Sequence, residues 1–434
     1  MDIRIEGKTS SIRADLETEF LAVRQMTEDL CRPLQTEDYV VQTIGDVSPP
    51  KWHIGHTTWF FEQVVLEQFE PNFRRFNDKF YFVFNSYYES FGERVFRAKR
   101  GTLSRPTVDE VMKYRSAISE RVVKLVNEID EAKLSEVRKL IILGMNHEQQ
   151  HQELLVTDVK HILASNPLLP QYVERPTAET EPPLDRARFV SYEGGVHEIG
   201  AVEGGFAYDN EYPRHREYLN DYNLCSRPVT CGEYLEFVGD NGYGDHRLWL
   251  SDGWDTIHRE GWKAPLYWRL MPDGRRIMTL AGLREIDPNE PVCHVSYFEA
   301  AAFARWAGKR LPTEAEWEVA AATQSFDRAP GNFLENRVYH PSRLEPDGRP
   351  DEDILYSLFG DVWEWTGSAY LGYPGYQWTR DALGEYNGKF MNAQMVLRGG
   401  SCATPRNHIR PTYRNFFQSD KRWQFTGIRL AEDL

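Results

Sequence analysis

Nothing in these 434 residues approaches the roughly 18 consecutive apolar positions that a membrane-spanning helix needs, and the opening Met1-Asp-Ile-Arg-Ile-Glu-Gly7 is not a secretory signal. The expectation is a cytoplasmic protein with no membrane partner. Cysteine is scarce: Cys31, Cys225, Cys231, Cys293 and Cys402 are odd in number and scattered, with no CxxC spacing. That fits a reducing compartment and offers no zinc-ribbon framework. A basic tract is missing too. With 51 Lys and Arg against 66 Asp and Glu, the net charge of −15 argues against a nucleic-acid partner and against anionic membrane surfaces. Internal repeats are absent, and low complexity is confined to one proline-rich segment.

What is present describes a globular chain, 41% hydrophobic and 27% charged, too long for a single core. Two domains are predicted. Aromatic residues make up 13% of the sequence, with 12 Trp and 22 Tyr, and concentrate in the second half.

Residues 1–165 read as helical. Ile12, Leu16, Phe20, Leu21, Val23 and Leu30 give Ser10 to Leu34 an amphipathic pattern, closed by Pro33. A second helix starts after Ser48-Pro49-Pro50, where a first turn tolerates proline, and carries Trp52, His56, Trp59, Phe60 and Val64. The third, Thr107 to Ile129, opens on Thr107-Val-Asp-Glu110, the pattern of a capping box. The fourth contains His147 and His151. Four long helices with one long connection, Glu70 to Pro106, describe a bundle. That connection holds Tyr87, Tyr88 and the basic cluster Arg94, Arg97, Lys99 and Arg100, which either binds a carboxylate or is a solvated face. Residues 166–187, with Pro167, Pro170, Pro176, Pro182 and Pro183, read as a linker. Residues 188–434 read as a loop-dominated α+β domain. Helices are predicted over Tyr297 to Trp306 and after Pro312, with irregular stretches such as Gly242 to Gly274.

The stretch that promises chemistry is His147-Glu-Gln-Gln-His151-Gln-Glu153. At helical period Leu140, Leu143, His147, His151 and Leu154 form one stripe, which places two imidazoles four residues apart on a surface that should face the core. Either both are hydrogen-bonded core histidines or they converge on a metal, for which neutral imidazole is a good ligand. A third ligand should come from another helix. Trp52-His53-Ile-Gly-His56 offers two candidates, and periodicity prefers neither. Glu148 and Glu153 point away from the histidine face. A three-histidine site leaves open coordination positions, and ligand softness does not separate iron from zinc.

The motifs WHxxH-T-T-W-F-F-E at Trp52 and HEQQHQE at His147, with Phe84-Asn-Ser-Tyr-Tyr-Glu89 between them, resemble the DinB-like domain of the ergothioneine-biosynthetic sulfoxide synthases. The second half is similar to their partner, the formylglycine-generating-enzyme/sulfatase-modifying fold related to C-type lectins. That likeness rests on Phe206-Ala-Tyr-Asp-Asn-Glu211, Pro228-Val-Thr230, Lys309-Arg-Leu-Pro-Thr-Glu-Ala-Glu-Trp-Glu318, Gly360-Asp-Val-Trp-Glu-Trp-Thr366 and Val396-Leu-Arg-Gly-Gly-Ser401.

The resemblance implies that His56, His147 and His151 bind iron(II), with His53 as a neighbour, and that Arg414-Asn415-Phe416-Phe417 lies opposite the metal across the interdomain cleft. It further implies that Gln150 and Asn415 hold a histidine-derived substrate through its imidazole and carboxylate. A trimethylammonium group donates no hydrogen bond, so faces such as Phe416 and Phe417 are the recognition open to it. The implied activity is O2-dependent joining of a thiol sulfur to the imidazole ring of hercynine, leaving a sulfoxide. Tyr87 and Tyr88 are favoured as proton or hydrogen donors over Tyr370 and Tyr376, because they sit on the long connection of the metal-bearing domain.

There are departures from the pattern. Cys402 stands alone where formylglycine-generating enzymes carry a cysteine pair, which disfavours their thiol-oxidase chemistry. Relatives that take γ-glutamylcysteine carry an acid two residues after the Asn of the Arg-Asn pair. Here that position is Phe417, which favours free cysteine. Ovothiol-type synthases carry an extra methyltransferase domain, for which these 434 residues leave no room. A non-catalytic metal-bound module that binds a small ligand is the alternative outside enzymology. A structural calcium in the second domain is left open.

Overall fold

A computed structural model describes residues 2–86, 92–175, 183–272, 274–324, 331–344, 354–378 and 387–434, with side chains from residue 11 onward. The chain divides into two compact units, Met1–Asn166 and Pro167–Leu434.

The first unit is built from helices α1 (Asp2–Cys31), α2 (Pro50–Phe60), α3 (Asp78–Val83), α4 (Val108–Glu128) and α5 (Glu131–Ser165). Pro49 caps α2 and Pro50 occupies its first turn, where the missing N–H costs nothing. The capping box of α4 forms: the Glu110 N–H donates to Thr107 Oγ1 at 3.2 Å, and the Thr107 N–H donates to Glu110 Oε2 at 2.7 Å. Beyond Phe60 the helix continues as a π-helical stretch, Phe61–Leu66, so one turn is wider than α-helical spacing allows. The long helices α1, α2, α4 and α5 pack on one another as a bundle, and α3 lies in the connection between α2 and α4.

The covered face of α5 differs from the expected one. Leu140, Leu143 and Leu154 are only half-buried, while Leu134, Val137, Ile141, Glu148, Leu155 and Val159 are fully covered. The covered surface takes in Glu148 as well as His147. Gly144 has no side chain where Phe61 of the π-helical stretch presses in: a Cβ there would lie 2.5 Å from Phe61 Cε1.

Among the described residues the second unit holds four sheets. β8 (Trp363–Ala369), β9 (Gln394–Arg398), β10 (Asn415–Gln418) and β11 (Thr426–Gly427) form one of them in the order β10-β9-β8-β11. Around it lie β1 (Phe189–Tyr192) and β12 (Ala431–Asp433) on either side of β4 (Tyr222–Cys225), the ribbon β2 (Gly195–Ile199) with β3 (His215–Leu219), and the meander β5 (Trp268–Met271), β6 (Gly274–Thr279), β7 (Gly282–Glu285). Helices α6 (Cys231–Gly239), α7 (Ser251–Glu260), α8 (Tyr297–Trp306) and α9 (Glu314–Thr323) complete it.

Two expectations change here. The stretch Gly242 to Gly274 is not irregular throughout, since it contains α7 and β5. Gly253 of α7 sits where Phe298 packs against the helix, and a Cβ would meet Phe298 at 2.9 Å. Part of the proline-rich linker is also pinned down, because the Tyr172 and Val173 N–H groups donate to the Leu280 carbonyl at 2.8 and 3.1 Å. Among the described residues no helix is long and apolar enough to cross a membrane.

Gly144→Ala drives a methyl into Phe61 and should lower stability by about 1–3 kcal/mol, read as a lower urea midpoint at unchanged m-value. Wild-type stability would mean that the two helices part without cost.

Candidate metal centre

α2 and α5 bring His56, His147 and His151 together. One donor atom from each lies within 4.8 Å of the others, and the ring centroids are 4.9 Å (56–147), 4.8 Å (56–151) and 4.7 Å (147–151) apart. The rings stand at 66–80° to one another, edges toward a common point rather than stacked. His56 and His147 are buried and His151 is partly exposed, so the centre is open on the His151 side.

Hydrogen bonds outside the trio set which nitrogens face inward. His56 Nδ1 lies 2.7 Å from the Phe84 carbonyl and must donate to it, which leaves Nε2 as a lone pair. Gly55 makes this possible, since a Cβ there would fall 2.1 Å from the Phe84 ring. His53, the other candidate of the motif, lies behind the trio, with its Nδ1 2.9 Å from His151 Nδ1 and its Nε2 2.9 Å from Asp158 Oδ2. Of the two candidates that periodicity left open, His56 is the one whose ring converges with His147 and His151.

Burial holds the rings neutral. It lowers His147 to about 3, against the pull of Glu148. His56 is pushed well below the ordinary histidine value by burial and then by His147, and His151 by burial and then by His147 and His56. Neutral imidazoles are the form a divalent ion takes.

The same helix turn has a second business. Glu148 and Gln152, also four apart, face α1. Glu148 accepts from Arg24 Nη1 at 2.9 Å, Arg115 Nη2 at 2.6 Å and Thr27 Oγ1 at 2.6 Å, and Gln152 Nε2 donates to the Val23 carbonyl at 2.9 Å. Burial raises the Glu148 carboxyl, but Arg115 and Arg24 outweigh it and hold the group at about 2. Its removal from the ligand candidates on helical geometry agrees with this placement.

Around the centre, Trp52 stacks on His56 at 4.6 Å with a 14° interplanar angle, and the Arg100 guanidinium lies 3.2 Å over the Trp52 ring. Arg100 is buried and donates to Ser48 Oγ and Ser86 Oγ, so this member of the basic cluster is no solvated face. Gln150 is partly exposed on α5, one residue before His151. Tyr87 and Tyr88 lie outside the described residues.

Asn415, Phe416 and Phe417 form β10, an edge strand of the second unit, all half-buried. Strand alternation places Asn415 and Phe417 on one face and Phe416 on the other, where it stacks on Tyr370 at 3.9 Å. Phe417 stands edge-on to Trp423 at 5.5 Å, and Asn415 Oδ1 accepts from the Phe416 N–H, which directs the amide's donor end elsewhere. Asp158, Ser48 and Trp52 went unmarked in the sequence as parts of the site. Asp158 had a usable signal, seven residues beyond His151 and so two helical turns along one stripe.

Comparison with known proteins matches residues 19–155 to the DinB superfamily and residues 174–434 to the sulfatase-modifying factor enzyme 1-like domain. The hercynine oxygenase of Mycolicibacterium smegmatis is 34% identical over 311 residues, covering 67% of this chain and 71% of that protein. That of Mycobacterium tuberculosis is 34% identical over 306 residues, 67% of this chain and 70% of that protein. The chain belongs to the hercynine oxygenase family. The formylglycine-generating enzyme of Streptomyces coelicolor is 32% identical over 304 residues, covering 59% of this chain and 95% of that one. In this family member Cys402 is fully buried and reads as packing. Among the described residues the histidine trio is the one group of three or more His, Cys, Asp or Glu side chains with converging donors. The calcium suggested for the second domain therefore has no acidic cluster behind it there.

Glu148→Ala strands two buried guanidinium groups and should cost roughly 3–5 kcal/mol in denaturant unfolding. Because the folded Glu148 carboxyl sits near 2, below the unfolded value of about 4.3, its contribution is present above that value and lost as pH falls toward 2. The stability gap between wild type and Glu148→Ala should therefore close over that acid range. A gap that stays constant from pH 6 to pH 2 would refute it.

Proposed function

We propose that the protein is an iron(II)- and O2-dependent sulfoxide synthase that joins the sulfur of cysteine to the imidazole ring of hercynine. The observation that carries this reading is the convergence of three neutral imidazoles in a chain one-third identical to hercynine oxygenases. The donor set fits the metal: among the described residues, three nitrogen ligands converge with no thiolate or closed fourth protein ligand, the composition of a centre that keeps positions open. Iron(II) held by His56, His147 and His151 would supply oxygen activation and a place for the substrate thiolate.

The protein's own groups position and donate. Gln150 stands next to His151 on the metal helix, within the motif whose family likeness makes it an imidazole contact. Asn415 is offered to the hercynine carboxylate through its amide donor end, with Phe417 on the same face of β10 for the trimethylammonium group and Phe416 stacked beneath. Phe417 is apolar and packs on Trp423, surroundings that suit free cysteine better than the charged γ-glutamyl extension. Tyr87 and Tyr88 are the proposed proton or hydrogen donors, neutral phenols at working pH. Five buried free cysteines accord with a reducing cytoplasm.

Anaerobic loading with iron(II), followed by O2 uptake and product analysis with hercynine plus cysteine, tests the whole. Sulfoxide formation supports it; absence of turnover with any histidine derivative or thiol, with zinc as the tightly held metal, overturns it. His151→Ala should lose stoichiometric iron. Tyr87→Phe and Tyr88→Phe should keep iron and shift product toward oxidised cysteine, and normal sulfoxide rates in both would move the donor role elsewhere.

A further inference from the structure

His53 is fully buried one helical turn from His56, yet it is not one of the three converging donors. Its two ring nitrogens are both occupied, one by the carboxylate of Asp158 and the other by a ring nitrogen of the metal helix. Asp158 Oδ2 also accepts the Ser48 N–H at 2.8 Å, so the carboxylate is held from two sides and presents an acceptor to His53. A carboxylate cannot donate, so the proton of His53 sits on Nε2 and its Nδ1 is a lone pair. Two lone pairs cannot face each other at 2.9 Å, so the proton in that contact belongs to His151 Nδ1. His151 Nε2 is then bare.

We infer that Asp158 and His53 form a positioning relay that fixes His151 as its Nδ1–H tautomer and turns Nε2 to the metal. This rests on the three-histidine centre proposed above. The Phe84 carbonyl does the same for His56 with one hydrogen bond. His151 needs a built partner because it is the partly exposed member of the trio: the backbone that could orient it lies in its own helix, with its carbonyls already engaged. The relay runs through three elements, the Ser48 turn, α2 and α5, so it also ties the ring's orientation to the docking of the two helices. Both residues are fully buried.

The test separates orientation from packing. In metal-free protein labelled with 15N-histidine, long-range 1H–15N correlation should show His151 protonated on Nδ1. In His53→Leu it should show a mixture of tautomers, and cobalt(II) affinity, measured by competition with a chromophoric chelator, should fall about 10- to 100-fold. His53→Asn keeps an acceptor oxygen near the His53 Nδ1 position and should restore cobalt(II) affinity to within a few-fold of wild type. Circular dichroism and melting temperature verify that each variant is folded. The inference is overturned if wild-type His151 carries its proton on Nε2, if His53→Leu binds cobalt(II) as wild type does, or if Leu and Asn lose affinity alike. Should His53→Leu not fold, the wild-type tautomer and the Asn variant decide. A wild-type protein that binds cobalt(II) with the expected tautomer but makes no sulfoxide would sink the proposed reaction and leave the relay standing.

Discussion

The first unit depends on a buried charge. Glu148 and its partners Arg24 and Arg115 join α5, α1 and α4 at a single point, with Thr27 and Thr58 taking up further hydrogen-bonding capacity. Three ions out of water are tolerable only where every donor and acceptor is matched, and a small rotation of any helix would unmatch them. That intolerance makes the cluster a register device. It fixes the azimuth of α5, and because His147 precedes Glu148 by one residue and His151 follows by three, it fixes where both imidazoles point. The histidine face is defined by what the opposite face must do.

On α2 the same economy holds within five residues. Trp52 stacks on the His56 ring, His53 engages His151 and Asp158, Gly55 makes room for Phe84, and His56 uses that residue's carbonyl to choose its tautomer. Trp52, His53 and Gly55 support the orientation of a ring instead of adding a ligand. Burial then removes competition from protons, since each imidazole of the trio is held well below the range where it would charge near neutrality. A site built this way spends little on reorganisation when a divalent ion enters.

Much of this was legible in the sequence, and the parts that were not share a cause. The four long helices, the capping box at Thr107, and α8 over Tyr297 to Trp306 follow from local periodicity and local hydrogen bonding, which the sequence carries in full. The histidine pair at 147 and 151 was visible because i, i+4 spacing is itself a statement about direction. Three things depended on partners far away in the chain. The fully covered stripe of α5 runs through Glu148, which hydropathy sends outward and Arg24 and Arg115 keep in. The orientation of the His56 ring rests on a backbone carbonyl 28 residues on, which no side-chain code announces. α7 fell within the stretch read as irregular, and the smallness of its Gly253 answers to Phe298, far along the chain.

The second unit solves the related problem of presenting side chains from an edge strand, where no neighbour on the outer side holds the backbone. Arg414, immediately before Asn415, is buried and bound to Glu314 through Nε at 2.9 Å and to the Asn210 carbonyl at 2.8 Å. Arg398, on the adjoining strand, is held by Glu318 at 2.8 Å, also reaches Glu314, and donates to the Tyr373 hydroxyl at 3.0 Å. These bonds anchor β10 from one face: Arg414 and Phe416 share the Tyr370 side, and alternation then obliges Asn415 and Phe417 to share the other. In both units, then, a buried arginine–carboxylate cluster stands opposite residues proposed for chemistry: His147 and His151 in the first, Asn415 and Phe417 in the second. A cluster that must keep its buried ion pairs allows one rotation of its element, and that rotation aims whatever stands on the far side.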